Sequence, residues 1–256
     1  MKKSIVFVGM LFLSVSFYAQ KTIVLSDSLA ANSDRLPVKM GAQWFGKITK
    51  FKFGDYEVAS SKMGWGNTTT RGNLFNTKTQ SKSTQKFSFI LAGAGTDNAN
   101  VNAASNIESS EVHGLELFNN FTIGTDATLR ESNNFSAYIR INNDTTDGWA
   151  LLMHVVLELD KVTKAESLLT NGTRKIYLYN VTSNDKGEDD RKYPAMGYEL
   201  REDGKAVAAV QFYGGGLMGT NKNIIWLTKD ASPAFRLMLA AALTAVLQDK
   251  ANAMAF

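Results

Sequence analysis

The segment from Ser232 to Gln248 limits the possible folds of this chain more than any other. Ser232 suits a helix N-cap, Pro233 suits the first helical position, and Ala234 to Gln248 are strong helix formers. At about 100° per residue, Arg236, Thr244 and Gln248 fall near 0°, 80° and 120° of the wheel, with Leu237, Ala240 and Leu247 on the same arc. The remaining positions are apolar. A helix that is apolar nearly all round either spans a membrane or is enclosed by protein. Its uninterrupted apolar stretches are shorter than the ~20 residues a span needs, and Arg236 lies inside. A helix over about 233–250, buried on every side, is therefore expected.

What encloses it must come from the rest of the chain, which reads as short β-type runs between Gly, Asn, Asp, Ser and Thr. Lys47–Phe53 alternates polar with apolar, as a half-buried strand does. Further strands are expected at Lys86–Leu91, His113–Ile123, Phe135–Ile141, Arg174–Val181, Met196–Arg201, Lys205–Tyr213 and Asn223–Thr228. Trp149 to Leu159 is ambiguous by length, and Val155, Val156 and the strand-rich surroundings favour a strand. Asp203-Gly204 is the strongest turn signal, because a type I′ hairpin needs positive φ at both central residues. Ala59–Lys86 and Gly93–Ser110 are rich in Ser, Thr, Asn and Gly without sustained periodicity, and read as long loops. The fold expected is mainly β (α+β), an antiparallel barrel or wrapped sheet packed around one C-terminal helix. An outer-membrane barrel is not expected, since the last segment is a helix rather than an alternating strand.

The N-terminus, MKKSIVFVGMLFLSVSFYAQ, has the charged start, apolar run and small or polar end of a cleaved secretory signal. Residues 1–20 are assigned to it, with cleavage after Ala19 or Gln20, and 21–256 to one β-rich domain. Export to the periplasm or the exterior follows. No cysteine is present to be acylated, to form disulfides or to bind zinc or iron–sulfur clusters, so the domain rests on its core alone. The whole chain carries a net charge of +4; losing Lys2 and Lys3 leaves 26 bases against 24 acids, or +2. That near-neutral balance argues against nucleic acid as a partner.

Gly197-Tyr198-Glu199-Leu200, the Asp203-Gly204 turn, Ala206–Val210, Ile225-Trp226-Leu227 and Leu237–Leu247 together resemble the end of tubby-like and LURP-one-related domains. The likeness covers about a fifth of the chain. It implies paired strands leading into a hydrophobic helix inside a β-barrel, and it places no lipid-binding residue. Exported bacterial proteins of unknown role are similar at this end.

Chemistry is sparse. The two histidines, His113 and His154, form no HExxH, and no Gly-x-Ser-x-Gly elbow occurs. Glu158 and Asp160, or Glu108, Glu111 and Glu116, are the carboxylates that a glycoside hydrolase would use, with a solvated strand end as the plainer reading. Residues 142–148 and 184–190 are rich in oxygen ligands but lack EF-hand spacing, so hairpin turns are favoured over calcium. No cofactor, metal or catalytic residue is assigned.

The most specific charge feature lies between Val58 and Thr96, which contains Lys62, Arg71, Lys78, Lys82 and Lys86 and no acid. Trp65 sits among them between two glycines. Bases beside an aromatic suit an anionic lipid headgroup or glycan; a polar loop with Trp65 tucked into the core is the plainer alternative. A non-catalytic envelope binding protein is the expected function, with a carbohydrate-active hydrolase or an assembly component as alternatives.

Overall fold

The computed structural model describes residues 22–72, 78–112, 115–118, 121–123, 127–144, 146–158, 161–185, 194–215 and 221–254. The expected signal segment lies outside them. In chain order the elements are α1 (Asp27–Ala31), β1 (Ser33–Pro37), β2 (Lys39–Met40), β3 (Phe51–Phe53), β4 (Tyr56–Met63), β5 (Asn67–Gly72), β6 (Lys78–Ala92), β7 (Asn98–Val112), β8 (Leu115–Phe118), β9 (Phe121–Ile123), β10 (Ala127–Ile141), β11 (Gly148–Glu158), β12 (Lys161–Thr170), β13 (Lys175–Thr182), β14 (Met196–Glu202), β15 (Lys205–Tyr213), β16 (Ile224–Thr228) and α2 (Pro233–Met254).

Every residue of α2 from 237 to 249 is buried, so the helix is enclosed as its sequence requires. It runs four residues further than expected, to Met254. Ser232 caps it, its Oγ accepting from Phe235 N at 3.3 Å. Each polar residue of the arc finds a partner, on the helix itself or in the wall. Thr244 Oγ1 donates to Ala240 O at 2.8 Å, Gln248 Oε1 accepts from Thr49 N at 2.9 Å, and Arg236 pairs with Asp34 at 2.6 Å. No helix among the described residues is long and apolar enough to cross a membrane.

The wall is an antiparallel sheet in the order β1-β16-β15-β14-β13-β12-β11-β10-β7-β6-β4-β3-β2. Only Val38 separates β1 from β2. One stretch of chain therefore pairs with β16 by its first half and with β3 by its second, and the barrel nearly closes. Inward residues alternate along each strand, as in Phe87, Phe89 and Leu91, then Ala99, Val101 and Ala103, then Phe135, Ala137 and Ile139, all buried against the core. Strands β14 to β16 are buried on both faces, because residues 22–32 cover their outer side with Ile23 and Leu29. Asp203 and Gly204 take φ of 46° and 78°, the type I′ turn expected between β14 and β15.

Three expectations need correction. Ala59–Lys86 and Gly93–Ser110 are not long loops: β4, β5, β6 and β7 occupy most of them. Their Ser/Thr/Asn-rich sequence hides the strands because residues 67–86 are polar on both faces and the inward face of β7 begins with only small residues, Ala99, Val101 and Ala103; ladder bonds hold β6 and β7 on both sides and β5 against β6. The Lys47–Phe53 strand shrinks to Phe51–Phe53, since the backbone of Thr49 donates to the helix rather than to a ladder. His113–Ile123 is not continuous; Leu115–Phe118 and Phe121–Ile123 pair as a separate hairpin, and His113 lies outside the described residues.

Candidate functional site

Strands β6, β7 and β10 are each 15 residues long, and their fully buried apolar side chains, Phe87 to Leu91, Ala99 to Ala103 and Phe135 to Ile139, all lie in the core-proximal halves. The other halves, 78–86, 104–112 and 127–134, extend roughly 30 Å beyond at ~3.3 Å per residue. Because side chains alternate, even-numbered residues of β6 face away from α2. Lys78, Lys82 and Lys86 therefore share one outer face, spaced about 13 Å apart. Registration carries the others onto it. Arg71 lies opposite Gln80, and Lys62 lies opposite Ser88.

The ladders set two transverse rows on this face. Arg71, Gln80, Ser110, Arg130 and Glu158 form one, and Thr69, Lys82, Glu108, Ser132 and Val156 form the next. Arg71 to Arg130 of the first row and Thr69 to Ser132 of the second line a groove of about 650 Å³, which Ser81 and Ser109 also border. The two guanidinium-bearing positions stand about 14 Å apart across the strands, with amide and hydroxyl groups between them. Lys82 donates to Glu108 Oε1 at 2.7 Å and holds the Glu108 carboxyl below its ordinary range. Arg130 Nε is 3.8 Å from Glu158, and Arg71 makes no ion pair among the described residues. Such a lining can hold phosphate, carboxylate or sulfate groups by charge-assisted bonds, with hydroxyls for sugar or glycerol oxygens.

Of the residues expected to bind, Arg71 and Lys82 meet in this groove. Lys78 stands on the row beyond it. Lys62 and Lys86 lie toward the core end, beside Trp65. Trp65 is 83% exposed, which overturns the alternative that it tucks into the core. The physical reason is local: a Cβ at Gly64 would meet Lys86 O at 3.3 Å and one at Gly66 would meet Gln85 Oε1 at 2.8 Å. The two glycines thus let the backbone lie against β6 and turn the indole outward. Sequence reasoning missed Arg130, which enters through the distant β10, and also Trp44 and Phe45, whose loop folds against Trp65.

The carboxylates of the hydrolase alternative do not converge. Glu111 faces the opposite side of β7 from Glu108, being one residue from Ser110 and paired with Thr79. Glu108 and Glu158 stand on different rows two strands apart, roughly 12 Å at Cα. Asp160 lies outside the described residues, as do the side-chain surroundings of Glu116. A general acid needs a raised pKa, and Glu108 is shifted the other way. His154 sits on the outer face, its Nδ1 bonded to Asn134 Oδ1, opposite Glu166.

The oxygen-rich 142–148 segment is a hairpin connection. Asn142 and Asn143 take φ of 49° and 60°, and Asp144 Oδ1 accepts from Thr146 N at 2.8 Å and Thr146 Oγ1 at 2.7 Å. In the second segment Asp185 accepts from Thr182 N at 2.8 Å, and 186–190 lie outside the described residues. Among the described residues no group of three or more His, Cys, Asp or Glu is placed to hold a metal ion.

Comparison with protein-family models, curated proteins and solved structures finds no match to this chain.

Proposed function

We propose that this chain is an exported, non-catalytic binding protein of the cell envelope whose ligand is anionic, a lipid headgroup or an acidic glycan. The observation that carries this reading is the row Arg71, Gln80, Ser110 and Arg130 beside Lys82, three bases and a set of neutral donors around one groove with Glu108 as its counter-charge. The signal-like N-terminus supports export, and the likeness of residues 197–247 to tubby-like ends fits a barrel around a C-terminal helix.

The test is retention of the full chain on phosphatidylglycerol vesicles and on a sulfated glycan resin, at low and moderate salt. Binding to one of the two should weaken with salt, because exposed charges are screened beyond ~8–10 Å. Arg71→Glu with Arg130→Glu should weaken it. Equal retention of the double variant, or no retention of the wild type on either surface, refutes the reading.

A further inference from the structure

We infer that Trp44, Phe45 and Trp65 form a membrane-interface anchor that seats the barrel on an anionic bilayer. This goes beyond the groove, stands on different residues and survives if the groove's ligand proves to be a soluble glycan. Trp44 is 73% exposed, Phe45 85% and Trp65 83%. Large aromatics are seldom left this open, and three together on adjoining loops mark an interaction surface.

The tip is held in shape before any partner arrives. Met63 N donates to Gly46 O at 2.7 Å, tying the loop of Trp44 and Phe45 to β4. Gly64 N donates to Lys86 O at 2.8 Å and Gln85 Nε2 to Gly64 O at 2.6 Å, tying the loop of Trp65 to β6. Gly46 takes φ of 73°, which a side chain would strain. Phe45 and Trp65 meet edge to face at 5.2 Å between ring centres. Insertion therefore costs little ordering entropy.

Charge and chemistry together select the occupant. Lys47, Lys62 and Lys86 are exposed around the tip. The nearest acid along these segments, Glu57, lies six residues from Met63 at the far end of β4, where it pairs with Lys50 and Lys52. Indoles suit the headgroup level of a bilayer, a phenyl ring suits the acyl boundary, and lysines contribute about 1 kcal/mol each beside anionic lipid. Phe45 and Trp65 meet at 76°, so the pair presents no flat platform for a sugar face, and Phe45 offers no hydrogen bond to its hydroxyls, which disfavours a glycan at this position.

The four tryptophans make the test direct. Trp149 and Trp226 are buried, so lipid-induced changes in emission report on Trp44 and Trp65. The full chain is titrated with phosphatidylcholine vesicles with and without phosphatidylglycerol, recording emission, quenching by brominated acyl chains and co-sedimentation. The expected result is a blue shift and quenching on the anionic vesicles only. Trp44→Ser, Phe45→Ser and Trp65→Ser combined should weaken co-sedimentation about tenfold or more, with the far-UV spectrum unchanged. Lys47→Glu, Lys62→Glu and Lys86→Glu combined should weaken it about a hundredfold, from the ~1 kcal/mol each lysine contributes. Arg71→Glu with Arg130→Glu should keep the blue shift, which separates failure of the groove from failure of the tip. No shift on anionic vesicles overturns the inference. So does undiminished co-sedimentation of the aromatic variant, or a lipid-free dimer in which Trp44 and Trp65 resist acrylamide.

Discussion

Truncating Leu243 to alanine tests whether α2 is the axis of the barrel core. Leu243 is fully buried near the middle of the helix, with buried residues before and after it on every face. The substitution removes buried apolar carbon worth about 2–2.5 kcal/mol at ~0.8 kcal/mol per methylene equivalent. The cavity left by an enclosed site that relaxes only partly brings the expected loss to about 3–5 kcal/mol. For a chain of this size that lowers Tm by roughly 8–15 °C. Leu152 is the matched control, since it faces outward from β11 and is 49% exposed. Leu152→Ala should cost less than about 1 kcal/mol. Urea denaturation followed by far-UV circular dichroism and by tryptophan emission gives both values. Trp149 is a useful reporter because its ring lies 5.8 Å from that of Phe235 on the same helix. If the two variants differ by less than about 0.5 kcal/mol, the helix is not enclosed and the architecture argued above is wrong.

Other perturbations probe the charges and the close approaches. Asp249 is buried, and burial raises its pKa against the opposing pull of Lys250 and Ser105. Its folded pKa lies above its unfolded one, so the stability it contributes is present in mild acid and lost as pH rises through the folded value. Asp249→Asn should therefore melt higher than the wild type at pH ~7.5 and lose that advantage near pH ~4; a constant difference across the range would contradict it. Glu57, held at about 2 in the fold by Lys52 and Lys50, contributes the same pH dependence to both proteins and cancels from this comparison. Gly197→Ala should cost about 3 kcal/mol or fail to fold, because a Cβ there would stand 2.1 Å from Val210 O. Gly95→Ala has open space and strains only a positive φ, so a similar loss there would undercut the steric argument. Glu108→Gln removes the carboxylate that occupies Lys82 and should tighten anion binding about twofold to fivefold, with a steeper salt dependence in the same retention assay. Weaker binding by that variant would place Glu108 on the ligand rather than against it.

Much of the fold was legible where apolar residues mark one face. Phe87-x-Phe89-x-Leu91 and Phe135-x-Ala137-x-Ile139 show their strands by alternation, and Lys205–Tyr213 was read with its observed limits. The polar halves of β6 and β7 were not legible, because Lys78–Lys86 has no fully buried residue and Ala104–Ser110 buries only Ser105, so a largely solvated strand looks like a loop. The site was half visible for the same reason. Its bases were counted along the chain, yet whether they share a face depends on strand register. The parity that unites Lys62, Arg71, Lys78, Lys82 and Lys86 comes from ladders that local sequence does not specify.

By itself the sequence determined that a helix apolar on all sides must be wrapped, that strands must do the wrapping, and that no disulfide helps. Helix propensity and hydrophobic periodicity are local, so they can be read without coordinates. The tertiary structure alone decided that Arg130 joins Arg71 across four strands, and that Phe45 meets an outward Trp65 with Trp44 beside the same hollow. Those meetings depend on register, on strand order and on which strand the Gly64 and Gly66 backbone lies against, none of which is local.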